Sequence, residues 1–285
     1  METIICPTDF SKKSENSIRY ADEIAQRMNS RIVLFHSIVE RANVLAMAGG
    51  TDSFPSEEEM ELERKQLKKL RRIQTYLEST EWGIPVSYET RVSYGETHQN
   101  VTTLAQDENA DLIVLGSGPT DALKEIVVNS LAGQVINQAP CPVLIIPENA
   151  TFRPIRKIVL ATDLRGFSLS DTAMVLKLAS YFGAQIQLLH IISKEDETAR
   201  QFATEELQRL SKRLPYQRVS INVEVNPNIE EGISRFCRMQ KADMLVVGAH
   251  ATDPWQNLFQ VEAPQAPTFH THLPLMVIHA RKIPF

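Results

Sequence analysis

Two tandem copies of an α/β unit, each a parallel sheet with helices on both faces, are what this sequence predicts. Three observations carry that prediction. Short apolar runs of strand length, such as Ile4–Cys6 and Arg31–Ile38, alternate with longer runs at helical spacing. The strand runs are apolar enough to be covered on both faces, as parallel strands with crossover helices require. The order of the runs then recurs. Ile158–Asp163 repeats the first strand and its Thr-Asp, and Gln185–Ile192 repeats the second, both at an offset of 154.

Taken in order, Ile4–Cys6 is a strand that ends in the polar turn Pro7-Thr8-Asp9-Phe10-Ser11. Ser14–Met28 carries Ile18, Ala21, Ile24, Ala25 and Met28 on one helical face. Arg31–Ile38 is the second strand, and residues 40–55, with Gly49, Gly50 and Pro55, read as a mobile loop. Ser56–Ser79 is a charged helix with an N-cap at Ser56, acidic residues in its first turn and one stripe of Leu62, Leu67, Leu70, Ile73 and Leu77. Val86–Val92 alternates as a strand, and Thr97–Glu108 is helical. From Ala110 to Pro147 come a buried strand, a loop with Gly116 and Gly118, a helical run through Val135 and a last strand. A strand that ends in small residues and feeds a helix aims backbone N–H groups at one spot, a standard way to hold an anion.

Asp243–Gly248 repeats Asp111–Gly116, and Pro274–Ile278 repeats Pro142–Ile146, now at an offset of 132. The second copy is therefore 22 residues shorter, and the loss falls on the loop at 40–55 and part of the charged helix. The copies join near Glu148–Arg156, which divides the chain into units 1–149 and 155–285.

Composition excludes several classes. A net charge of -5 argues against a nucleic-acid binder, and no apolar run reaches the length that spans a bilayer. The N-terminus enters a strand without a basic segment, so no signal peptide is expected. Cys6, Cys141 and Cys237 read as reduced core thiols of a cytoplasmic protein. Gly116 and Gly118 do not extend into a dinucleotide fingerprint, because Asp121 stands at the next glycine position, and no P-loop is present.

Pro7-Thr8-Asp9-Phe10-Ser11, Leu34-Phe35-His36, Asp111 to Gly116, and Ala139-Pro140-Cys141-Pro142-Val143-Leu144 resemble the universal stress protein family. The resemblance covers nearly the whole chain as a tandem and is more specific in the first copy. It implies a Rossmann-like fold, a five-stranded parallel sheet in each copy and cytoplasmic stress-related roles. It further implies that Cys141–Pro147 and Leu273–Ala280 pair the copies into an intramolecular pseudo-dimer, with further homodimerisation open.

One branch of the family binds ATP through Gly-x2-Gly-x9-Gly-(Ser/Thr). That motif falls here on Gly116, Pro119, Asn129 and Ser130. Pro119 has no N–H to give, Asn129 is a milder change, and Ser130 can still cap a helix. The resemblance thus implies ATP or ADP, with Mg, in the first copy. Pro7, Thr8, Asp9, His36, Ser37 and Ile38 would lie on the nucleoside side. Gly116, Ser117, Gly118, Asn129, Ser130 and Leu131 would surround the phosphates. Asp9 and Asp163 have a competing role as turn formers at the carboxyl ends of first strands.

In the second copy the motif falls on Gly248, Ala251, Val261 and Glu262. Glu262 sets a carboxylate where a phosphate would sit, and Pro264 and Pro267 break the helix, so ATP is not expected there. His190, His250, His270 and His272 are weak candidates for a metal site in that half.

The leading expectation is a non-enzymatic ligand-binding or signalling module. A nucleotide-free adaptor for an unknown protein partner, acting through the helix at 56–79, is the alternative. A slow ATPase is third, since no general base is evident at a γ-phosphate.

Overall fold

The computed structural model describes residues 1–39, 56–80, 82–118, 130–164, 171–250 and 273–280, the side chains of 249, 250, 279 and 280 excepted. The loop expected at 40–55 lies outside these residues. The first half runs β1 (Thr3–Pro7), α1 (Lys12–Met28), β2 (Arg31–Ile38), α2 (Glu57–Ser79), β3 (Ser87–Tyr94), α3 (Thr97–Asp107), β4 (Leu112–Ser117), α4 (Leu131–Gln138) and β5 (Val143–Pro147). The second runs β6 (Lys157–Ala161), α5 (Ala173–Phe182), β7 (Gln185–Ile192), α6 (Glu197–Arg213), β8 (Val219–Val225), α7 (Ile229–Gln240), β9 (Met244–His250) and β10 (Leu275–Ala280).

Local chemistry sets these boundaries. Ser56 and Glu59 form a reciprocal capping box at the start of α2, where Glu57, Glu58 and Glu59 also suit the positive end of the helix dipole. α1 stops at Asn29, whose φ of 52° is a left-handed cap that asparagine tolerates. The helix expected to run through Val135 continues to Gln138, because Pro140 and Pro142 stop it only beyond that point. The fifth strands begin at Val143 and Leu275, two residues later than the pattern suggested, once the proline-bearing approach is passed.

The ten strands form one sheet in the order β3-β2-β1-β4-β5-β10-β9-β6-β7-β8. Every pairing is parallel except β5 with β10, where Val143, Leu144 and Ile145 oppose Val277, Met276 and Leu275. Each fifth strand is the edge of its own five-stranded half. Pairing the two edges removes both.

The core lies on both faces of the sheet and is continuous across this seam. On one face Ile4, Leu34, Val114 and Leu144 pack with Ile18 and Ile24 of α1, and the layer continues into Met276, Leu160 and Leu178 of α5. On the other, Ile5, Ile113 and Val143 pack with Val101 of α3 and Val135 of α4, and continue into Val277, Leu245 and Phe236 of α7. The shortening of the second half falls where expected. α6 follows β7 directly, and has 17 residues against 23 in α2.

Candidate functional site

In the first half, α1 follows β1 on one face of the sheet, and α4 follows β4 on the other; β6 and β9 are the matching neighbours in the second half. The carboxyl ends of such a pair frame the crevice where open α/β sheets take ligands.

Thr8, just past β1, is buried and fully committed. Its N–H donates to the Phe35 carbonyl at 2.8 Å, and its carbonyl accepts from His36 Nδ1 at 2.7 Å. Its hydroxyl meets Ser14 Oγ at 2.9 Å and accepts the Phe10 N–H at 2.9 Å, holding Phe10 at a φ of 63°. The second half repeats the arrangement. Thr162 receives His190 Nδ1 at 2.8 Å on its carbonyl and the Leu164 N–H on its hydroxyl at 3.0 Å, with Leu164 at a φ of 64°. The paired histidines therefore tie a turn to a neighbouring strand in both halves, which accounts for their repetition.

Asp9 presents its side chain at the rim, 55% exposed. Its Oδ1 accepts the Ser11 N–H at 3.0 Å and the Ser11 hydroxyl, and Lys13 Nζ stands 3.8 Å from Oδ2. Burial pushes its carboxyl up, but the Ser11 donors, with Ser14 and Lys13, outweigh that and hold it below the usual carboxylate range. The turn-forming role is thus present in the geometry. More than half of the carboxylate side chain stays open to solvent.

His36 stacks on Phe10 with ring centroids 4.5 Å apart, and Lys69 of α2 lies 4.7 Å over the Phe10 ring. Burial lowers the His36 pKa, and Lys69 adds to that against the opposing pull of the Thr8 carbonyl and Asp9. Ser37 is turned to structure: it donates to the Gly95 carbonyl and accepts from Asn100 Nδ2, each at 2.8 Å, while the Ile38 carbonyl takes the Gly95 N–H at 3.0 Å.

Gly116 faces α1 rather than open space. A Cβ there would lie 2.3 Å from the Lys13 carbonyl oxygen, so this glycine lets β4 and the start of α1 touch. Ser117 follows on the opposite face, the face of Ile113 and Leu115 and hence of α4. It is fully buried, and its hydroxyl has no hydrogen-bond partner among the described residues. Ser130 is the N-cap of α4, its Oγ accepting the Gly133 N–H at 3.0 Å, and Leu131 opens the helix with a half-exposed side chain.

Pro119 and Asn129 lie outside the described residues, as do Ala251, Val261, Glu262, Pro264, Pro267, His270 and His272 and the side chain of His250. The four weak metal candidates are therefore placed only at His190, where Thr162 takes Nδ1. Among the described residues no group of three or more metal-ligating side chains occurs. The crevice of the second half, between Thr162, His190 and Gly248, encloses about 60 Å³, far below the size of ordinary small-molecule pockets.

The thiols are unsuited to nucleophilic work, since burial pushes Cys141 and Cys237 up to about 12 and Cys6 further still. Lys69 and Phe10 are site residues that the sequence reading overlooked. Lys69 reaches the first-strand turn only by the tertiary placement of α2. Lys13, also overlooked, was legible as the i+4 partner of Asp9.

Among the described residues no helix is long and apolar enough to cross a membrane. The family model described as the universal stress protein family matches residues 1–147. A universal stress protein of Methanocaldococcus jannaschii is 27% identical over 154 residues, 50% of this chain and 93% of that protein. A second from the same organism is 29% identical over 143 residues, 50% of this chain and 80% of that one. Both relatives match half of this chain, in keeping with its doubled sheet. Over the whole length, the crystal structure of a universal stress protein from Archaeoglobus fulgidus superposes with a TM-score of 0.63, at 16% identity and covering 98% of this chain and 96% of that one, which is a likeness of fold. On the sequence match and the strand order together, the chain belongs to the universal stress protein family.

Proposed function

We propose that this chain is a non-enzymatic stress-response module that binds an adenine nucleotide, ATP or ADP, in its first half, with units at 1–149 and 155–285. The single observation that carries the reading is Ser117. A fully buried hydroxyl with no partner among the described residues stands at the carboxyl end of β4, on the face where Ser130 caps α4. Such a group costs about 1–3 kcal/mol when left unmet, and a bound phosphate or ribose oxygen would satisfy it. The donor set fits a nucleotide in other respects too. The N-terminus of α4 favours an anion, and Lys13 and Lys69 bring positive charge to the mouth of the crevice. Asp9, with its half-exposed carboxylate, would face the nucleoside or its Mg. The nucleotide supplies the phosphate charge when bound. The chain's own residues position and partly dehydrate it.

Calorimetry of the full chain with ATP and with ADP tests this. Saturable heat in the micromolar to millimolar range, with a matching rise in melting temperature, is expected. Absence of both at millimolar nucleotide overturns the reading. The adaptor role would then stand, with charge reversals on the exposed face of α2 abolishing partner capture.

A further inference from the structure

A second cavity, of about 400 Å³, lies at the seam between the halves, at the amino ends of β9 and β10. Tyr20 of α1 and Ser234 of α7 both line it, and both are almost completely buried, at 3% and 4% exposure. Neither hydroxyl has a hydrogen-bond partner among the described residues. The Tyr20 ring is fixed edge-on against Phe152 at 4.8 Å, and the phenol sits close enough to Asp243 for that carboxylate to help hold its proton, after burial.

Arg153, Arg238 and Lys241 edge the cavity, and none of them has an ion-pair partner among the described residues. Asp243 is the one carboxylate in the lining, and its Oδ2 is spent on the Arg156 and Lys157 N–H groups at 2.8 and 2.9 Å. α7 ends at the cavity, yet its last carbonyls are occupied. Those of Cys237 and Arg238 accept from Ala242 and Lys241, and that of Gln240 accepts from Lys157 Nζ at 2.8 Å. The balance of charge is positive, and Leu273, Pro274 and the protonated Cys237 thiol supply an apolar wall.

The internal repeat provides its own control. The positions matching Tyr20, Ser234, Arg238 and Lys241 are Met174, Thr102, Gln106 and Asn109. Thr102 is satisfied by the His98 and Gln99 carbonyls, each at 3.0 Å, and Asp111, the counterpart of Asp243, is paired with Lys177 at 3.4 Å. The same backbone geometry therefore closes on itself on one side of the seam, and on the other leaves two hydroxyls facing the cavity with no protein partner among the described residues. Lys241 also holds a left-handed φ of 53° where its counterpart is an asparagine, the residue better suited to it.

We propose that the seam cavity is a binding site for a small organic anion, its carboxylate or phosphate held by Arg153, Arg238 and Lys241 and its apolar body set between Leu273, Pro274 and Cys237, with Tyr20 and Ser234 donating to it. The volume suits a compact metabolite and is too small for most larger ligands. The site stands apart from the nucleotide crevice and does not depend on it.

Phenyl phosphate and benzoate, each titrated into the full chain by calorimetry and saturation-transfer NMR, test the proposal, with phenol and inorganic phosphate as partial probes. At least one of the two anions is expected to saturate, more tightly than either partial probe, and their ratio tells phosphate from carboxylate preference. Tyr20→Phe keeps the ring on Phe152, and Lys241→Asn restores the residue of the other half, so both variants are expected to fold. Tyr20→Phe should weaken binding several-fold, and Arg238→Ala combined with Lys241→Asn roughly tenfold or more, the weight of a charge-assisted contact. ATP heats should be unchanged in all of them. Lack of saturation by both anions, or affinity undiminished in the variants, overturns the site.

Discussion

Lys177 of the second half reaches Glu2 of the first at 3.0 Å and Asp111 at 3.4 Å, on the side of the seam opposite the unpartnered Tyr20. The ion cluster joins the amino end of β1 to α5, and so ties the halves outside their shared core.

This cluster gives stability a pH dependence. Burial raises the Glu2 pKa, but the Lys177 ammonium outweighs it and leaves the carboxyl below its ordinary value. Because the folded pKa is the lower one, this contribution is present above the unfolded value of about 4.3 and fades as pH falls through the folded one. Lys177 is shifted up, since its two carboxylate partners outweigh its own burial. Its contribution lasts until pH rises through that raised value. With Lys177 partly exposed, Lys177→Met should cost no more than about 1 kcal/mol at pH 7. Urea midpoints of variant and parent should converge as pH falls through the lowered folded value of Glu2. A constant gap across that range would assign the effect to packing alone.

Gly116→Ala should destabilise the chain by roughly 2–3 kcal/mol, because the new Cβ meets the Lys13 carbonyl oxygen at 2.3 Å and must push α1 off β4. Urea denaturation measures it, and a loss below about 0.5 kcal/mol would mean that α1 is seated differently. Since the glycine is required for packing, its variants report poorly on ligand binding.

Ser117→Ala and Ser130→Ala should shift stability in opposite directions. The first removes an unmet buried hydroxyl and should raise stability by about 1 kcal/mol while weakening nucleotide binding. The second removes the cap of α4 and should lower it by about 1 kcal/mol. Thermal melts of the free protein, paired with ATP titrations, separate the two. A Ser117→Ala variant that is less stable would show that the hydroxyl has a structural partner.

The parallel strands, the helices between them and the internal repeat were legible because apolar runs and helical stripes are local and periodic. So was the pairing of the halves, through the family resemblance, since two apolar edges demand a cover. The candidate site was legible only in outline. Ser37 and His36 were expected at a ligand, and in the fold they also hold turns, because the Gly95 and Thr8 carbonyls that they meet lie just past neighbouring strands. Gly116 was read as a phosphate-side glycine, and its demonstrated contact is with α1.

By itself the sequence determined the class of fold, the duplication, its 22-residue shortening and the family, all of which rest on patterns within a few turns or on comparing one copy with the other. Tertiary structure alone decided which polar groups are left unmet. Ser117 looks ordinary in the chain, and only burial without a partner among the described residues makes it costly, just as only the seam cavity sets Tyr20 and Ser234 apart from other hydroxyls. Both outcomes depend on what packs around each hydroxyl, and spacing along the chain carries no record of it.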